Sequence, residues 1–284
     1  MTDMLLQRVA TALVLVALLL LSLAATALWP FALLSLVLIA TAGWEWGRLN
    51  QAPQVHALVM GCTLGAAGFW GILQGWTQQA PSPGWWLAAV FWLLAGVVAL
   101  RAGPKAWPQL PKWARWSLGV VALWAAWLAL AQARAIGINF LLSVLCLVWM
   151  ADVAAYFGGR AFGRRKLAPA ISPGKSWEGV WSGMAGVLVL ALFWSWLDAR
   201  SAFDSDSVYS RLLHALGWAG GAMVLVMLAG LSVVGDLIES LVKRAAGAKD
   251  SSRLLPGHGG VLDRVDALLP VLPVAMAVAT LGPL

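Results

Sequence analysis

Long apolar runs separated by short polar loops make up most of the chain. A helix needs roughly 20 residues to cross a hydrocarbon core about 30 Å thick, and nine runs approach this length. They cover residues 9–29, 31–47, 55–75, 84–101, 115–133, 136–158, 177–197, 212–239 and 261–282. Only a tight turn, predicted at Trp29-Pro30, separates the first two. The pattern predicts an all-α fold, a polytopic integral membrane protein with about nine transmembrane helices.

The polar motifs divide the chain into two regions. Residues 1–135 contain about five of the predicted helices and none of the polar motifs, so we interpret them as a transmembrane scaffold. Residues 136–284 contain the remaining helices and three polar motifs. We therefore expect the chemistry of the protein in this second region.

Composition agrees with a membrane protein and changes the meaning of the net charge. Hydrophobic residues make up 61% of the chain, and the mean hydropathy of +0.82 is higher than soluble domains tolerate. A net charge of +7 would suggest nucleic acid as a partner of a soluble protein. Here the basic residues occupy short loops between apolar runs. Anionic lipid headgroups and phosphates are therefore the predicted partners, and no nucleic acid is expected.

The distribution of basic residues predicts the orientation in the membrane. With a cytoplasmic N-terminus, all of the nineteen lysines and arginines except Arg134, Arg200 and Arg211 face the cytoplasm. This favours an odd number of spans, an outside C-terminus and three cytoplasmic motifs. As an alternative, the first run is a signal peptide cleaved near Ala25-Thr26-Ala27.

The first polar motif lies in the sixth run. Asp152 and Tyr156 are four residues apart and so share one helix face. An ionisable residue inside an apolar span costs roughly 2.5–3.5 kcal/mol and usually marks a site or a pathway. The alternative is that Asp152 only pairs with a nearby arginine at the helix end.

The second motif, ISPGKSWEGVWSG, predicts a turn at Ser172-Pro173-Gly174 followed by a helix. The helix begins at Ser176 or Trp177 and has Glu178 in its first turn, where the helix dipole favours negative charge. A helix N-terminus next to Lys175 favours an anion. The spacing differs from a P-loop and no strand is predicted before the helix. An ordinary capped helix start would look similar.

The third motif covers the end of the eighth run and the polar segment after it. Asp236, Glu239 and Lys243 can share one helix face. Asp250 and a turn, Pro256-Gly257-His258-Gly259-Gly260, follow before Asp263 and Asp266. Carboxylates from two separated segments suit Mg²⁺, although the same charges could neutralise one another as a structural network. Carboxylates, cations and a glycine-rich turn are together what phosphoryl or nucleotidyl transfer requires.

The third motif resembles the signature of the phosphatidate cytidylyltransferases, also called CDP-diacylglycerol synthases. The matching residues are Ser240, Lys243-Arg244, Lys249-Asp250, Ser252, Leu255-Pro256, His258-Gly259-Gly260, Asp263-Arg264 and Asp266. The resemblance extends over residues 142–266, since the other two motifs also match, whereas the first five runs match only in character. It implies that CTP reacts with phosphatidic acid to give CDP-diacylglycerol and pyrophosphate, with Mg²⁺ as cofactor. It also implies a multi-pass protein of the inner, cytoplasmic membrane that forms a homodimer.

The resemblance implies a role for each polar motif residue. Metal ligands are Asp236 and Asp263, and further carboxylates near the metal or nucleotide are Asp250 and Asp266. Phosphate oxygens would be held by Lys243, Arg244, Lys249 and Arg264. Substrates would be bound by Asp152, Tyr156, Lys175, Ser176, Ser240, Gly259 and Gly260. His258 would either act as an acid toward pyrophosphate or stabilise the turn.

Two other hypotheses about the function stay open. A CTP-dependent lipid kinase of the polyprenol-kinase type would share the membrane fold and the nucleotide but transfer the γ-phosphate to an alcohol. A membrane transporter without chemistry would also use buried charges and broken helices. A CDP-alcohol phosphotransferase fits less well, because residues 263–266 lack the glycine and second acidic pair of that family's motif.

Overall fold

The computed structural model describes residues 2–257 and 259–281, and helices dominate this part of the chain. The elements are α1 (Thr2–Ala24), α2 (Trp29–Leu49), α3 (Gln54–Leu73), α4 (Trp85–Ala102), α5 (Lys112–Ile136), α6 (Ile138–Phe162), β1 (Lys166–Ala168), β2 (Ser172–Ser176), α7 (Trp177–Asp198), α8 (Val208–Ala245), α9 (Leu262–Val265) and α10 (Leu268–Ala279). Over the described residues, α2 to α8 are seven helices long and apolar enough to cross a membrane. The chain is therefore a multi-pass, mostly helical membrane protein, and the count of nine spans stays a prediction.

The two ends of the helical series differ from the predicted runs. At the N-terminal end, the described residues contain an apolar helix segment over Leu13–Ala24, which lies inside the predicted run 9–29. The break before α2 lies at residues 25–28, and Pro30 falls in the first turn of α2, where proline is tolerated. The predicted run 261–282 is divided into α9 and the 12-residue α10. Since α10 is buried on all sides between α4, α5 and α8, its apolar character reflects protein contacts rather than a full span.

A small β-hairpin precedes α7, where a turn and no strand were predicted. Strand β1 pairs with β2 in antiparallel fashion, with Lys166 opposite Ser176 and Ala168 opposite Ser172. Residues 172–174 are therefore extended, and the turn lies at residues 169–171. Both strands are sheet edges, which is where a strand tolerates a proline such as Pro173. The predicted all-α fold class is kept, and this hairpin is a local addition to it.

Small residues bring α6 and α7 into close contact. A Cβ atom added to Gly183 would lie 2.7 Å from the carbonyl oxygen of Ala151, and one on Gly179 would lie 2.8 Å from that of Ala155. Small side chains at such positions allow membrane helices to approach each other closely. The start of α7 is thus held beside the face of α6 that carries Asp152.

Helix α8 extends past its predicted end, so that several motif residues lie on one continuous helix. It bends at Gly217, whose φ of 67° is in the left-handed region that favours glycine, and continues to Ala245. The 28 residues after the bend rise about 42 Å, more than a hydrocarbon core of about 30 Å. The end of α8 therefore reaches beyond the core and carries Asp236, Glu239 and Lys243 along one helix.

The connection between α7 and α8 packs against the start of α6. Asp198 accepts hydrogen bonds from the Asn139 amide at 2.9 Å and from the hydroxyl groups of Ser207 and Ser210. Asp204 accepts from the main-chain N–H groups of residues 138 and 139. Both carboxylates therefore hold together the ends of α6, α7 and α8 that lie away from the motifs. We call this the distal end, and the end that carries the motifs the motif end.

Candidate active site

A cavity of about 580 Å³ lies at the motif end of α6, α7 and α8. Residues predicted to bind substrate or metal line it together: Asp152, Tyr156, Lys175, Ser176 and Asp236. They come from α6, from β2 and from α8, elements that are far apart in the sequence. The fold thus brings the first two motifs and the start of the third into one space.

An ion pair between Lys175 and Asp236 lies on the wall of this cavity. The Lys175 Nζ and Asp236 Oδ2 atoms are 2.5 Å apart, and both side chains are about a quarter exposed. The other carboxylate oxygen accepts a hydrogen bond from the Ser240 hydroxyl at 3.2 Å. An ion pair this accessible contributes little to stability, on the order of 0–1 kcal/mol. Its two charges can therefore turn to a ligand at small cost, the cation to phosphate and the carboxylate to a metal.

Ser176 and Glu178 organise the start of α7. The Ser176 hydroxyl accepts a hydrogen bond from the Gly179 N–H at 3.2 Å and so caps the helix. The Glu178 carboxylate accepts from the main-chain N–H groups of Arg164 and Arg165. Glu178 thus also anchors the loop that leads into the hairpin, a role beyond the predicted one of complementing the helix dipole.

Lys243 is the centre of a second, less accessible network. Its Nζ atom pairs with Glu239 and lies 2.7 Å from Asp263 Oδ1. The Asp263 Oδ2 atom accepts from the Ser251 N–H, the Ser251 hydroxyl and the Gly260 N–H, at 2.8–3.0 Å. Glu239 is 1% exposed and Lys243 is 13% exposed. Around Lys243, therefore, opposite charges pair with each other inside the protein, as in the alternative of a structural network that the sequence left open.

These contacts decide the ionisation of Asp263. Burial by itself would raise the pKa of this carboxyl group, but the hydrogen bonds from Lys243, Gly260 and Ser251 hold its pKa far below the usual range. Asp263 is therefore a carboxylate at any physiological pH. Both of its oxygen atoms are already occupied by donors from the protein.

Asp266 lies against α8, close to the first cavity. A Cβ atom added to Gly235 would lie 2.4 Å from the Asp266 carbonyl oxygen. Burial, together with the negative charge of Asp236, raises the pKa of Asp266 to about 7. This carboxyl group is therefore partly protonated near neutral pH.

A second cavity, of about 510 Å³, contains Lys249 and Asp250. Arg48 from α2 and Arg253 also line it, together with Ser251 and Ser252. These side chains do not line the cavity of Asp152 and Asp236, so the predicted site residues are divided between two spaces. Ser251 connects this second cavity to the network around Lys243, since it lines the cavity and also donates a hydrogen bond to Asp263.

The remaining predicted residues have separate positions. Arg244 donates to the carbonyl oxygens of Ile171 and Ala248 and so joins the end of α8 to the hairpin. Arg264 is exposed on α9. Gly259 has a φ of 82°, and a Cβ atom on Gly260 would lie 2.0 Å from the Ser251 hydroxyl oxygen. The glycines are thus needed for close approach to protein groups, and His258 lies outside the described residues.

One residue of the N-terminal region contacts the third motif, which the interpretation of residues 1–135 as a scaffold did not include. Glu45 of α2 is fully buried and binds the segment between Ser251 and Leu262. It is an isolated acidic residue between two tryptophans inside an apolar run. The argument applied to Asp152, that an ionisable residue in an apolar helix marks a site, would have found it.

The described residues contain no group of three carboxylate, histidine or thiol side chains arranged to hold a metal by themselves. Mg²⁺ retains several waters and is usually bound by one or two carboxylates together with substrate phosphates. Asp236, whose carboxylate faces the cavity beside Asp152, is a donor of this kind. The residues therefore fit Mg²⁺ bound jointly with a phosphorylated substrate.

Comparison with known proteins supports the family resemblance that the three motifs indicated. The model of the cytidylyltransferase family matches residues 6–281. The phosphatidate cytidylyltransferase of Pseudomonas aeruginosa is 42% identical over 193 residues, which are 67% of this chain and 66% of the relative. The Haemophilus influenzae protein of the same name is 47% identical over 137 residues, 48% of this chain and 44% of the relative. The matched part thus spans from under half to about two thirds of these relatives. Since the family model covers nearly all of its residues, the chain belongs to the cytidylyltransferase family.

Proposed function

We propose that this protein transfers the cytidylyl group of CTP to phosphatidic acid, giving CDP-diacylglycerol and pyrophosphate. The observation that carries the proposal is the cavity at the motif end, where Lys175 and Asp236 form an accessible ion pair beside Asp152. A membrane-embedded bundle suits a lipid substrate, and the basic residues near this end suit a triphosphate. Family membership and the names of the relatives support the same reaction.

In the proposed reaction, a phosphate oxygen of phosphatidic acid attacks the α-phosphorus of CTP. A new P–O bond forms there while the bond to the bridging oxygen of the β-phosphate breaks, and pyrophosphate leaves with that oxygen. The nucleophile is already an anion, so the enzyme needs no strong base. Positioning of the two phosphates and neutralisation of their charge would supply most of the catalysis.

The chain's own residues provide these two effects. Lys175 would exchange its partner Asp236 for phosphate oxygens of the nucleotide or the lipid. Tyr156 and Ser176 line the same space and would limit the positions of the substrate. The second cavity, with Lys249 and Arg253, offers further positive charge for the nucleotide.

Mg²⁺ is the proposed cofactor, and Asp236 is its best-placed protein ligand. When bound, the ion would neutralise charge on the phosphate oxygens. Asp263 stays a predicted ligand, but its oxygens are occupied by Lys243, Ser251 and Gly260. Binding a metal there would require Lys243 to move, whereas Asp236 has only an accessible partner to release.

The cellular setting is proposed with the reaction. We place the protein in the inner, cytoplasmic membrane with a cytoplasmic N-terminus, an outside C-terminus and the motif end inside. A homodimer is the proposed assembly. Cross-linking in membranes and labelling of single cysteines in the loops would test these proposals.

The experiment that tests the reaction uses purified protein in detergent with phosphatidic acid, Mg²⁺ and CTP labelled at the α-phosphorus. We expect the label in a lipid and an equal amount of released pyrophosphate. Label remaining in water-soluble CDP would instead indicate a lipid kinase. No consumption of CTP, together with substrate flux in proteoliposomes, would indicate a transporter.

A further inference from the structure

We propose that Glu45, in helix α2 of the N-terminal region, is a positioning residue. It fixes the segment from Ser251 to Asp263 in its active arrangement. This inference rests on the proposed cytidylyl transfer for its kinetic consequence. The structural part of the inference, that Glu45 orders this segment, stands independently of the reaction.

The Glu45 carboxylate has four donors, all from this segment. Its Oε1 atom accepts from the Ser252 hydroxyl at 2.5 Å and from the Val261 N–H at 3.0 Å. Its Oε2 atom accepts from the Ser251 hydroxyl at 3.2 Å and from the Leu262 N–H at 2.7 Å. The side chain is 0% exposed and has no ion-pair partner among the described residues. Three of these donors bind Glu45 alone, and the fourth, the Ser251 hydroxyl, also lies within reach of Asp263. These contacts are what compensates the burial of the carboxylate.

The donors come from both sides of the glycine-rich turn. Ser251 and Ser252 precede the turn, whereas Val261 and Leu262 follow it at the start of α9. A single carboxylate on α2 thus clamps the two ends of the turn together. An ordinary scaffold residue would pack against this segment without tying both of its ends.

A single hydroxyl group, that of Ser251, connects Glu45 to the network of Asp263 and Lys243. The Ser251 hydroxyl lies within hydrogen-bonding distance of both Glu45 Oε2 and Asp263 Oδ2, and it has a single proton to donate. Glu45 and Asp263 therefore share this hydroxyl, and Asp263 in turn pairs with Lys243. A change at Glu45 is expected to alter the orientation of the Asp263 carboxylate.

Gly260 packs directly against the Glu45 carboxylate and the Ser251 hydroxyl. A Cβ atom added to Gly260 would lie 2.5 Å from Glu45 Oε1 and 2.0 Å from the Ser251 hydroxyl oxygen. The absence of a side chain at Gly260 thus admits the carboxylate. Gly260 of the third motif and Glu45 of α2 thus form one structural unit.

The test compares Glu45→Gln with Asp204→Asn in purified, full-length protein. Both variants replace a carboxylate that accepts main-chain N–H groups by its amide, but Asp204 lies at the distal end. We expect Glu45→Gln to lower kcat by about 10²-fold, the loss typical of displacing a catalytic constellation by about 1 Å. The KM for CTP should change much less, and Asp204→Asn should retain the wild-type kcat per folded molecule.

Hydrogen–deuterium exchange supplies a readout that does not depend on turnover. We expect Glu45→Gln to increase exchange in residues 251–262 while the bundle helices stay protected. If Glu45→Gln does not fold, Ser252→Ala removes only one of the four donors and should show both effects to a smaller degree. A wild-type kcat with unchanged exchange in this segment would overturn the inference. An inactive wild-type protein would overturn the proposed function, and the exchange comparison would still decide whether Glu45 orders the segment.

Discussion

Carboxylates lie at both ends of the bundle formed by α6, α7 and α8, but they are used differently. At the distal end, Asp198 and Asp204 accept hydrogen bonds from main-chain N–H groups, serine hydroxyls and an asparagine amide. At the motif end, Asp152 and Asp236 face a cavity of about 580 Å³, and Asp236 has an accessible lysine as its partner. The partners of a carboxylate thus distinguish a structural role from the binding role that we propose at the motif end.

The motif end itself contains both kinds of acidic residue. Asp236 faces the cavity, whereas Asp263 and Glu239 are almost completely buried around Lys243. Residues of one signature motif can therefore have different tasks. In the proposed reaction some of them would contact substrate, and others would keep those residues in place.

Replacing Lys243 by methionine should have the largest effect at the motif end, on both stability and turnover. It would leave the carboxylates of Glu239 and Asp263 buried without their cation, and removing one partner of a buried ion pair costs about 3–5 kcal/mol. We expect a large fall in Tm in detergent as well as a loss of turnover. Lys249→Met is the control, because Lys249 is exposed and should leave the Tm unchanged. A Lys243→Met protein as stable as the wild type would show that the network does not hold the fold.

Asp236→Asn should separate activity from stability. We expect kcat to fall by about 10²–10³-fold, the range seen when one electrostatic contact to a transition state is removed. The Tm should change little, because the pair with Lys175 is accessible. Turnover of labelled CTP and thermal unfolding of the same preparation provide the measurement. Near-normal turnover would remove Asp236 from the active site.

Asp198→Asn should show the opposite behaviour at the distal end. The amide would present N–H groups to the Ser207 and Ser210 hydroxyls, at an expected cost of roughly 1–3 kcal/mol in stability. The kcat of the remaining folded protein should equal that of the wild type. A selective loss of kcat would contradict the division between the two ends.

Much of this arrangement could be predicted from the sequence. Hydropathy gave the positions of α2 to α8, because helices that cross a membrane must be long and apolar. The bias of basic residues toward one side of the predicted spans placed the three motifs at one end, and the structure brings Asp152, Lys175 and Asp236 into one cavity there.

What the sequence did not reveal depends on contacts between distant segments. Residues 268–279 are apolar because they are buried between helices, and hydropathy cannot distinguish protein burial from lipid exposure. The hairpin before α7 is short and contains Pro173, so its residues predict a turn as readily as a strand. The role of Glu45 arises from partners more than 200 positions away, and only the folded chain shows them.

The smallest expected effect is a pH dependence that comes from Asp266. Its pKa is raised to about 7 by burial and by the negative charge of Asp236, whereas an unfolded aspartate titrates near pH 3.9. The folded protein therefore binds this proton more tightly than the unfolded chain does. The resulting stabilisation is complete below about pH 3.9 and is lost as the pH rises through about 7.

Asp266→Asn removes this titration and should flatten the corresponding part of the stability profile. Between about pH 5 and pH 8, we expect the Tm of the wild-type protein to fall more than the Tm of the variant. Asp250→Asn is the matched control, since Asp250 is exposed, and its profile should follow the wild type. Identical slopes for all three proteins would show that Asp266 is already ionised in the folded state. In that case Asp266 and Asp236 would be two carboxylates sharing a site, an arrangement stabilised by a bound cation, and adding Mg²⁺ should then raise the Tm of the wild type more than that of Asp266→Asn.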